Sequence, residues 1–342
     1  MNILAAVENE LLKGFRYPLL AALIALIVSW LLTPWVRSLA IAKGAVDDPK
    51  VDDRRVHKEP TPRWGGLAIY AGLVASLLVV LPFAYGPSNV RFPFWLIGLI
   101  LVGGALVAVG ALDDLYQYKA KIQALLLLTA GFVIQLFAGP EGRVQINTLG
   151  IPFGGGAYWK LLPLFTAPLT AFYIFVVTKT MDTIDGIDGL AAGLATISAT
   201  TLTFIAVYGG QPRVALVAAA LAGAALGFLK HNYNPARIFM GTGGAYVLGF
   251  TLACLSIVGA LKTAAAASLI IPALVFGVPI FDAFFVIIRR VASGQPITQA
   301  DKRHVHHTLI KRGLSQKQAV WVLYLVTAVL CVTALLVIRR NG

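Results

Sequence analysis

The chain has 342 residues and is short of charge. Asp, Glu, Lys and Arg make up 13% of it, against about a quarter in ordinary water-soluble domains. Apolar residues make up 58%, in long blocks, and the mean hydropathy is +0.80. That balance excludes a soluble globular domain and points to a chain whose solvent is mostly lipid. Cysteine is nearly absent. Cys254 and Cys331 both lie in apolar runs. They offer neither a disulfide framework nor metal-ligand spacing, and read as small buried hydrophobes. No cleavable signal is expected: the apolar run from Tyr17 to Trp35 lacks a small-residue cleavage site and is long enough to span. Basic-aromatic stretches long enough for a nucleic-acid module are also missing, so no nucleic-acid partner is expected. The net charge of +13 therefore points to a membrane, where Lys and Arg gather beside an anionic inner leaflet.

What is present is a series of ten apolar stretches: 17–36, 65–83, 93–112, 122–138, 161–178, 189–208, 213–229, 241–261, 265–288 and 319–338. A helix needs about 20 residues to cross a bilayer core. The expectation is an all-α, polytopic membrane bundle of about ten helices forming a single domain over 1–342. Ten spans put both termini on one side. The loops 37–64, 113–121, 179–188, 230–240 and 289–318 then share the other side, and hold 19 of the 28 Lys and Arg. The positive-inside rule makes that side cytoplasmic and leaves both termini outside. On the outer side, Arg143 to Gly156 reads as a short β-hairpin or folded loop. Gly223 and Gly227 form a GxxxG pair, read as close packing within the bundle.

Acidic residues are scarce, 15 in all, so their positions inform. Asp113 and Asp114 end the third stretch. Asp182, Asp185 and Asp188 lie where the fifth gives way to the sixth. A carboxylate at the membrane centre costs about 2.5–3.5 kcal/mol, less near the interface. Taken singly, each Asp reads as readily as a helix cap or interface residue as it does as a functional group. Two clusters facing one compartment are harder to dismiss. The three-residue spacing keeps the second cluster on one side of a helix, and Gly186 and Gly189 suggest a break that lets backbone approach a ligand. Asn232, Asn234 and the glycines 241, 243 and 244 form another polar entrance, which alone reads as a turn. The last loop, DKRHVHHTLIKRG, holds three of the five histidines among five basic or acidic neighbours. This suits an anionic substrate better than a zinc site. Arg54, Arg55, His57, Lys58 and Arg63 add charge to the first loop. Carboxylates able to hold Mg²⁺ and a cationic, His-rich loop on one membrane face suit phosphoryl transfer, and the membrane implies a lipid substrate.

Five ordered blocks, HKEPTPRWGG, ALDDLYQYKAK, VTKTMDTIDGIDGLAAG, HNYNPARIFMGTGGAYVLGF and ADKRHVHH, resemble the polyprenyl-phosphate N-acetylhexosamine-1-phosphate transferases, glycosyltransferase family 4. The resemblance runs from about residue 37 to 312. It implies transfer of N-acetylhexosamine 1-phosphate from a UDP-sugar to a polyprenyl phosphate, with Mg²⁺ or Mn²⁺ as cofactor and release of UMP. The His304-Val305-His306-His307 order is similar to the N-acetylglucosamine branch that starts cell-envelope glycans such as teichoic acid and O-antigen. The phospho-N-acetylmuramoyl-pentapeptide transferase typically has three adjacent histidines. By resemblance, Asp113 and Asp114 are the paired catalytic aspartates, one of them a base for the lipid phosphate. Asp185 belongs at the metal and the reaction centre. Asp188, Asn232 and Phe239 line the nucleotide site, with Phe239 stacking on uracil. His304, His306 and His307 engage phosphate or sugar, and Lys58 and Arg303 bind substrate. Two positions depart from the family. Thr242 stands where it usually has a metal-binding Asp, and Asp182 where it usually has Asn. The expected metal set is therefore Asp182, Asp185 and Thr242, with Asp182 replacing the lost charge. The peptidoglycan donor, a metal-impaired relative and an ion-coupled transporter are the alternatives. Against the transporter, the acids sit at one face and no inverted repeat is visible. Direct attack, a covalent aspartyl intermediate and a homodimer all stay open.

Overall fold

The computed structural model describes residues 3–48, 59–85, 92–140, 142–150, 158–260, 270–294 and 304–341. The long helices, in chain order, are α1 (Ile3–Ala42), α2 (Gly65–Tyr85), α3 (Phe94–Tyr116), α4 (Ala120–Val133), α5 (Pro163–Ile184), α6 (Leu190–Tyr208), α7 (Pro212–Asn232) and α8 (Gly241–Leu255). They are followed by α9 (Ile270–Val275), α10 (Gly277–Ala292), the short α11 (Val305–Lys311) and α12 (Gln316–Asn341). Two antiparallel ribbons join them: β1 (Val46–Asp47) with β2 (Thr61–Pro62), and β3 (Thr148–Gly150) with β4 (Tyr158–Lys160).

Among the described residues, eight helices are long and apolar enough to cross a membrane. The chain is a multi-pass, all-α membrane protein. The fourth expected span is shorter, with α4 continuing into a 3₁₀ turn that ends at Leu136. The ninth is broken. Phe276 leaves helical geometry at φ −106°, ψ 20°. The cause lies three residues on: Pro279 has no N–H for the Val275 carbonyl, and its ring would strike that carbonyl in a continuous helix. The second ribbon pairs 148–150 with 158–160 rather than lying wholly inside 143–156.

The core is α8, buried along nearly its whole length, with α3, α5, α2 and α7 packed on it. Small residues set these distances. A Cβ on Gly223 or Gly227 would overlap the Ala22 or Leu26 carbonyl of α1, so the GxxxG pair fastens α7 to α1 within the chain. Gly243 meets Gly110 of α3, and Gly244 meets Gly66 of α2, backbone to backbone. In the first turn of α8, Gly243 and Gly244 therefore serve packing. With alternating direction, the C-termini of α1, α3, α5, α7 and α10 meet the N-termini of α2, α4, α6, α8 and α12 at one end of the bundle.

Candidate active site

That end collects the acidic residues. α3 stops at Tyr116 because Gln117 takes a left-handed conformation, φ 51°. The Asp113 carboxylate accepts the Tyr118 N–H at 2.7 Å and the Gln123 amide at 3.0 and 3.2 Å. It thereby clamps the turn into α4, with both oxygens in use. Asp114 is 1% exposed at its side chain. Its Oδ1 accepts the Thr242 N–H at 3.1 Å and faces the Arg63 guanidinium at 3.6 Å. Its Oδ2 is buried without a hydrogen-bond partner. Gly241, at φ +70°, lies against that oxygen, where a Cβ would collide with it. Arg63 is itself held by Asp47 at 2.7 Å, across the β1–β2 ribbon.

α5 ends at Ile184, and the 185–189 loop starts α6 from a left-handed Gly189, φ 79°. Near the end of α5, Lys179 Nζ pairs with Asp182 Oδ2 at 2.6 Å and donates to Gln123 Oε1 at 2.8 Å. Asp185 caps the helix. Burial raises its carboxyl pKa above the ordinary range, and Asp182, Asp114 and Asp188 push the same way against Arg63. Asp188 Oδ2 accepts the Asn234 amide at 2.9 Å and the Ala236 N–H at 3.0 Å. Asn232 is buried. It accepts the Gly189 N–H at 3.1 Å and donates to the Ile238 carbonyl at 3.0 Å. Both residues thus tie the start of α6 to the segment before α8. Phe239 is half-buried and lines a cavity of 590 Å³ with Arg37, Thr61, Asp188, Arg237 and Gln316.

The histidines arrive on α11. His306 is buried against Gly186, whose Cβ, if present, would lie 2.8 Å from the imidazole Cε1. Neither ring nitrogen of His306 has a hydrogen-bond partner. Burial, then the neighbouring His307 and His304, lower its pKa to about 3, so it is neutral. The rings of His304 and His306 lie parallel at 5.7 Å, and those of His306 and His307 are 4.3 Å apart. His304 Nδ1 meets Asp282 Oδ2 at 2.6 Å, and the Val305 N–H donates to Asp282 Oδ1 at 2.7 Å. A carboxylate only accepts, so Nδ1 carries the proton and Nε2 is left for another partner.

The structure therefore brings Asp113, Asp114, Asp182, Asp185, Asp188, Asn232, Phe239, Thr242 and the three histidines to one end of the bundle. Lys58 and Arg303 lie outside the described residues. Reading the sequence missed Asp282, Lys179 and Gln123. Asp282 carried a signal, as the one charge in the apolar run IFDAFFVII, since a buried carboxylate needs a partner. Lys179 also had one, three residues before Asp182 on the same helix.

The donor set fits a hard divalent cation. Asp182, Asp185 and Thr242 offer oxygen alone, and Asp114 Oδ2 is a buried oxygen without a hydrogen-bond partner. No group of three or more His, Cys, Asp or Glu able to hold a metal occurs among the described residues. Mg²⁺ asks for less: one or two carboxylates, waters and substrate phosphates.

Known proteins match this chain along most of its length. The Glycosyl transferase family 4 model matches residues 96–260. A probable undecaprenyl-phosphate N-acetylglucosaminyl 1-phosphate transferase of Bacillus subtilis is 35% identical over 92% of this chain and 83% of its own length. A decaprenyl-phosphate N-acetylglucosaminephosphotransferase of Mycolicibacterium smegmatis is 32% identical over 90% and 78%. The undecaprenyl-phosphate alpha-N-acetylglucosaminyl 1-phosphate transferase of Escherichia coli is 28% identical over 86% and 77%. On this likeness, the chain belongs to the polyprenyl-phosphate N-acetylhexosamine-1-phosphate transferases of glycosyl transferase family 4.

Proposed function

We propose that this chain transfers N-acetylglucosamine 1-phosphate from UDP-N-acetylglucosamine to a polyprenyl phosphate, releasing UMP. The names of its relatives support the reaction class. The observation that carries the assignment to this site is the meeting of five aspartates, Arg63 and the His304–His307 loop at one end of a membrane bundle. The excess of Lys and Arg in the same loops favours the cytoplasm for that end.

The lipid phosphate attacks the sugar-linked phosphorus, and the bond to UMP breaks. Asp114 is the better placed base of the pair. Asp113 is engaged through both oxygens, whereas Asp114 keeps Oδ2 unpartnered. His304, oriented by Asp282, presents Nε2 as a donor or acceptor for phosphate or sugar. His306 is neutral and packs on the 185–189 loop, so it supports that loop rather than adding charge. Phe239 and Asp188 border the 590 Å³ cavity, which suits a base that stacks and hydrogen-bonds. Asp182, Asp185 and Thr242 would hold Mg²⁺, which when bound offsets charge on the diphosphate.

The test is UMP release by purified protein in detergent with undecaprenyl phosphate and UDP-N-acetylglucosamine, with Mg²⁺ or EDTA. Lipid-dependent, EDTA-sensitive release is expected. Lipid-dependent release that EDTA leaves unchanged would sink the metal assignment. Silence that Thr242→Asp relieves would mean this chain is metal-impaired. Silence from both variants would overturn the reaction.

A further inference from the structure

Lys179 is a cation in α5, a helix long and apolar enough to span the membrane. A charge there is costly and persists where it has a task. Its ammonium is gripped on two sides, by Asp182 Oδ2 at 2.6 Å and by Gln123 Oε1 at 2.8 Å. Gln123 in turn holds both oxygens of Asp113, at 3.0 and 3.2 Å. One polar chain, Asp113–Gln123–Lys179–Asp182, thus runs from the α3–α4 turn to the end of α5. An ammonium has three donors, and these contacts use two. The Lys179 side chain is 29% exposed, so the third can reach a ligand. Arg63 is occupied differently, bound most closely to Asp47 at 2.7 Å.

We infer that Lys179 binds a phosphoryl oxygen of a substrate through its third N–H, and that Gln123 and Asp182 are the positioning residues that aim it. The inference rests on the transferase reading for the identity of the phosphates, which are those of the acceptor lipid and the donor diphosphate. It also gives Asp182 a role besides the metal, since one of its oxygens anchors the ammonium. The geometry explains why an extra carboxylate at 182 is tolerated, because Lys179 neutralises it.

The experiment is steady-state kinetics in detergent on wild type, Lys179→Met, Lys179→Arg and the double variant Lys179→Met/Asp182→Asn. KM is measured separately for undecaprenyl phosphate and UDP-N-acetylglucosamine. A charge-assisted hydrogen bond to phosphate predicts a rise of about 10- to 100-fold in KM for one of the two substrates. Whichever KM moves identifies the source of the phosphate, and kcat changes less. Lys179→Arg restores binding to within about threefold, a rescue that a packing role would not give. The double variant removes the pair together and leaves no unpaired acid at 182; KM for the same substrate rises as in Lys179→Met, while kcat falls further because Asp182 belongs to the proposed metal set. Unchanged KM values for both substrates in Lys179→Met would overturn the inference. A double variant that cannot fold would do the same, by showing that the fold itself needs the pair. Binding of farnesyl phosphate and of UDP-N-acetylglucosamine by thermal shift separates this inference from the reaction. If wild type turns nothing over yet binds either ligand, and Lys179→Met does not, the phosphate site stands and the transferase reading falls. If wild type binds neither, both fall.

Discussion

Asp282→Ala is the sharpest perturbation of the histidine loop. The Asp282 side chain is buried in α10 and makes the two bonds that dock α11, to His304 Nδ1 at 2.6 Å and to the Val305 N–H at 2.7 Å. Hydrogen bonds to a charged group are worth about 1.5–3 kcal/mol each. Removing the carboxylate also strands the Val305 N–H at the start of α11. Taking about 3 kcal/mol as the lower sum, the docked form of the loop loses about a hundredfold in its equilibrium with the undocked form. Amide hydrogen exchange of 305–311 in detergent measures this directly. Protection there is expected to fall about a hundredfold, while α2, which packs on α1, α7 and α8, serves as the control. Turnover falls more than about tenfold, because His304 loses its tautomer and its orientation together. Asp282→Asn keeps an acceptor for Val305 and loses the charge, so it falls between the two. Unchanged exchange over 305–311 in Asp282→Ala would refute the reasoning, whatever the activity.

Other perturbations follow from single contacts. Gly186→Ala drives a methyl into the His306 ring. Overpacking costs about 1–3 kcal/mol, to be read as a lowered unfolding temperature, and His306→Ala in the same chain should restore part of it. Gly227→Leu pushes α7 off the Leu26 carbonyl of α1 and should lower thermal stability without changing KM in the protein that remains folded. His306 has a depressed native pKa near 3, against about 6.5 unfolded. The unfolded state therefore binds the extra proton first, and stability is lost as pH falls from about 6.5 towards 3, by at most about 1.4 kcal/mol per pH unit. Comparing His306→Asn with wild type isolates that slope, and equal slopes would count against a buried neutral imidazole.

Much of the fold was legible because lipid leaves a helix few choices. Eight of the ten apolar runs became helices long enough to span, and the basic loops lie at the end at which the aspartates meet. The break in the ninth run was legible in principle, since Pro279 forbids a helix through Val275. The GxxxG pair was read as internal packing, and the Ala22 and Leu26 carbonyls lie against it. Partners far apart in sequence were not legible. Nothing local to Asp282 names His304, 22 residues on, and nothing local to Lys179 names Gln123, 56 residues back. Such pairs are set by which helices pack together, and periodicity along one helix does not encode that. Asn232, placed by resemblance at the nucleotide, also braces Gly189 and Ile238, two partners that no local pattern names.

At this site a phosphosugar is proposed to pass intact to a lipid phosphate. The most direct measurement uses UDP-N-acetylglucosamine carrying ³²P in the β-phosphate, with undecaprenyl phosphate and Mg²⁺, followed by organic extraction. Label is expected in the lipid phase and UMP without label in the water, both lost with Asp114→Asn. Label left in water-soluble sugar phosphate, or lipid labelling undiminished by Asp114→Asn, would contradict that transfer.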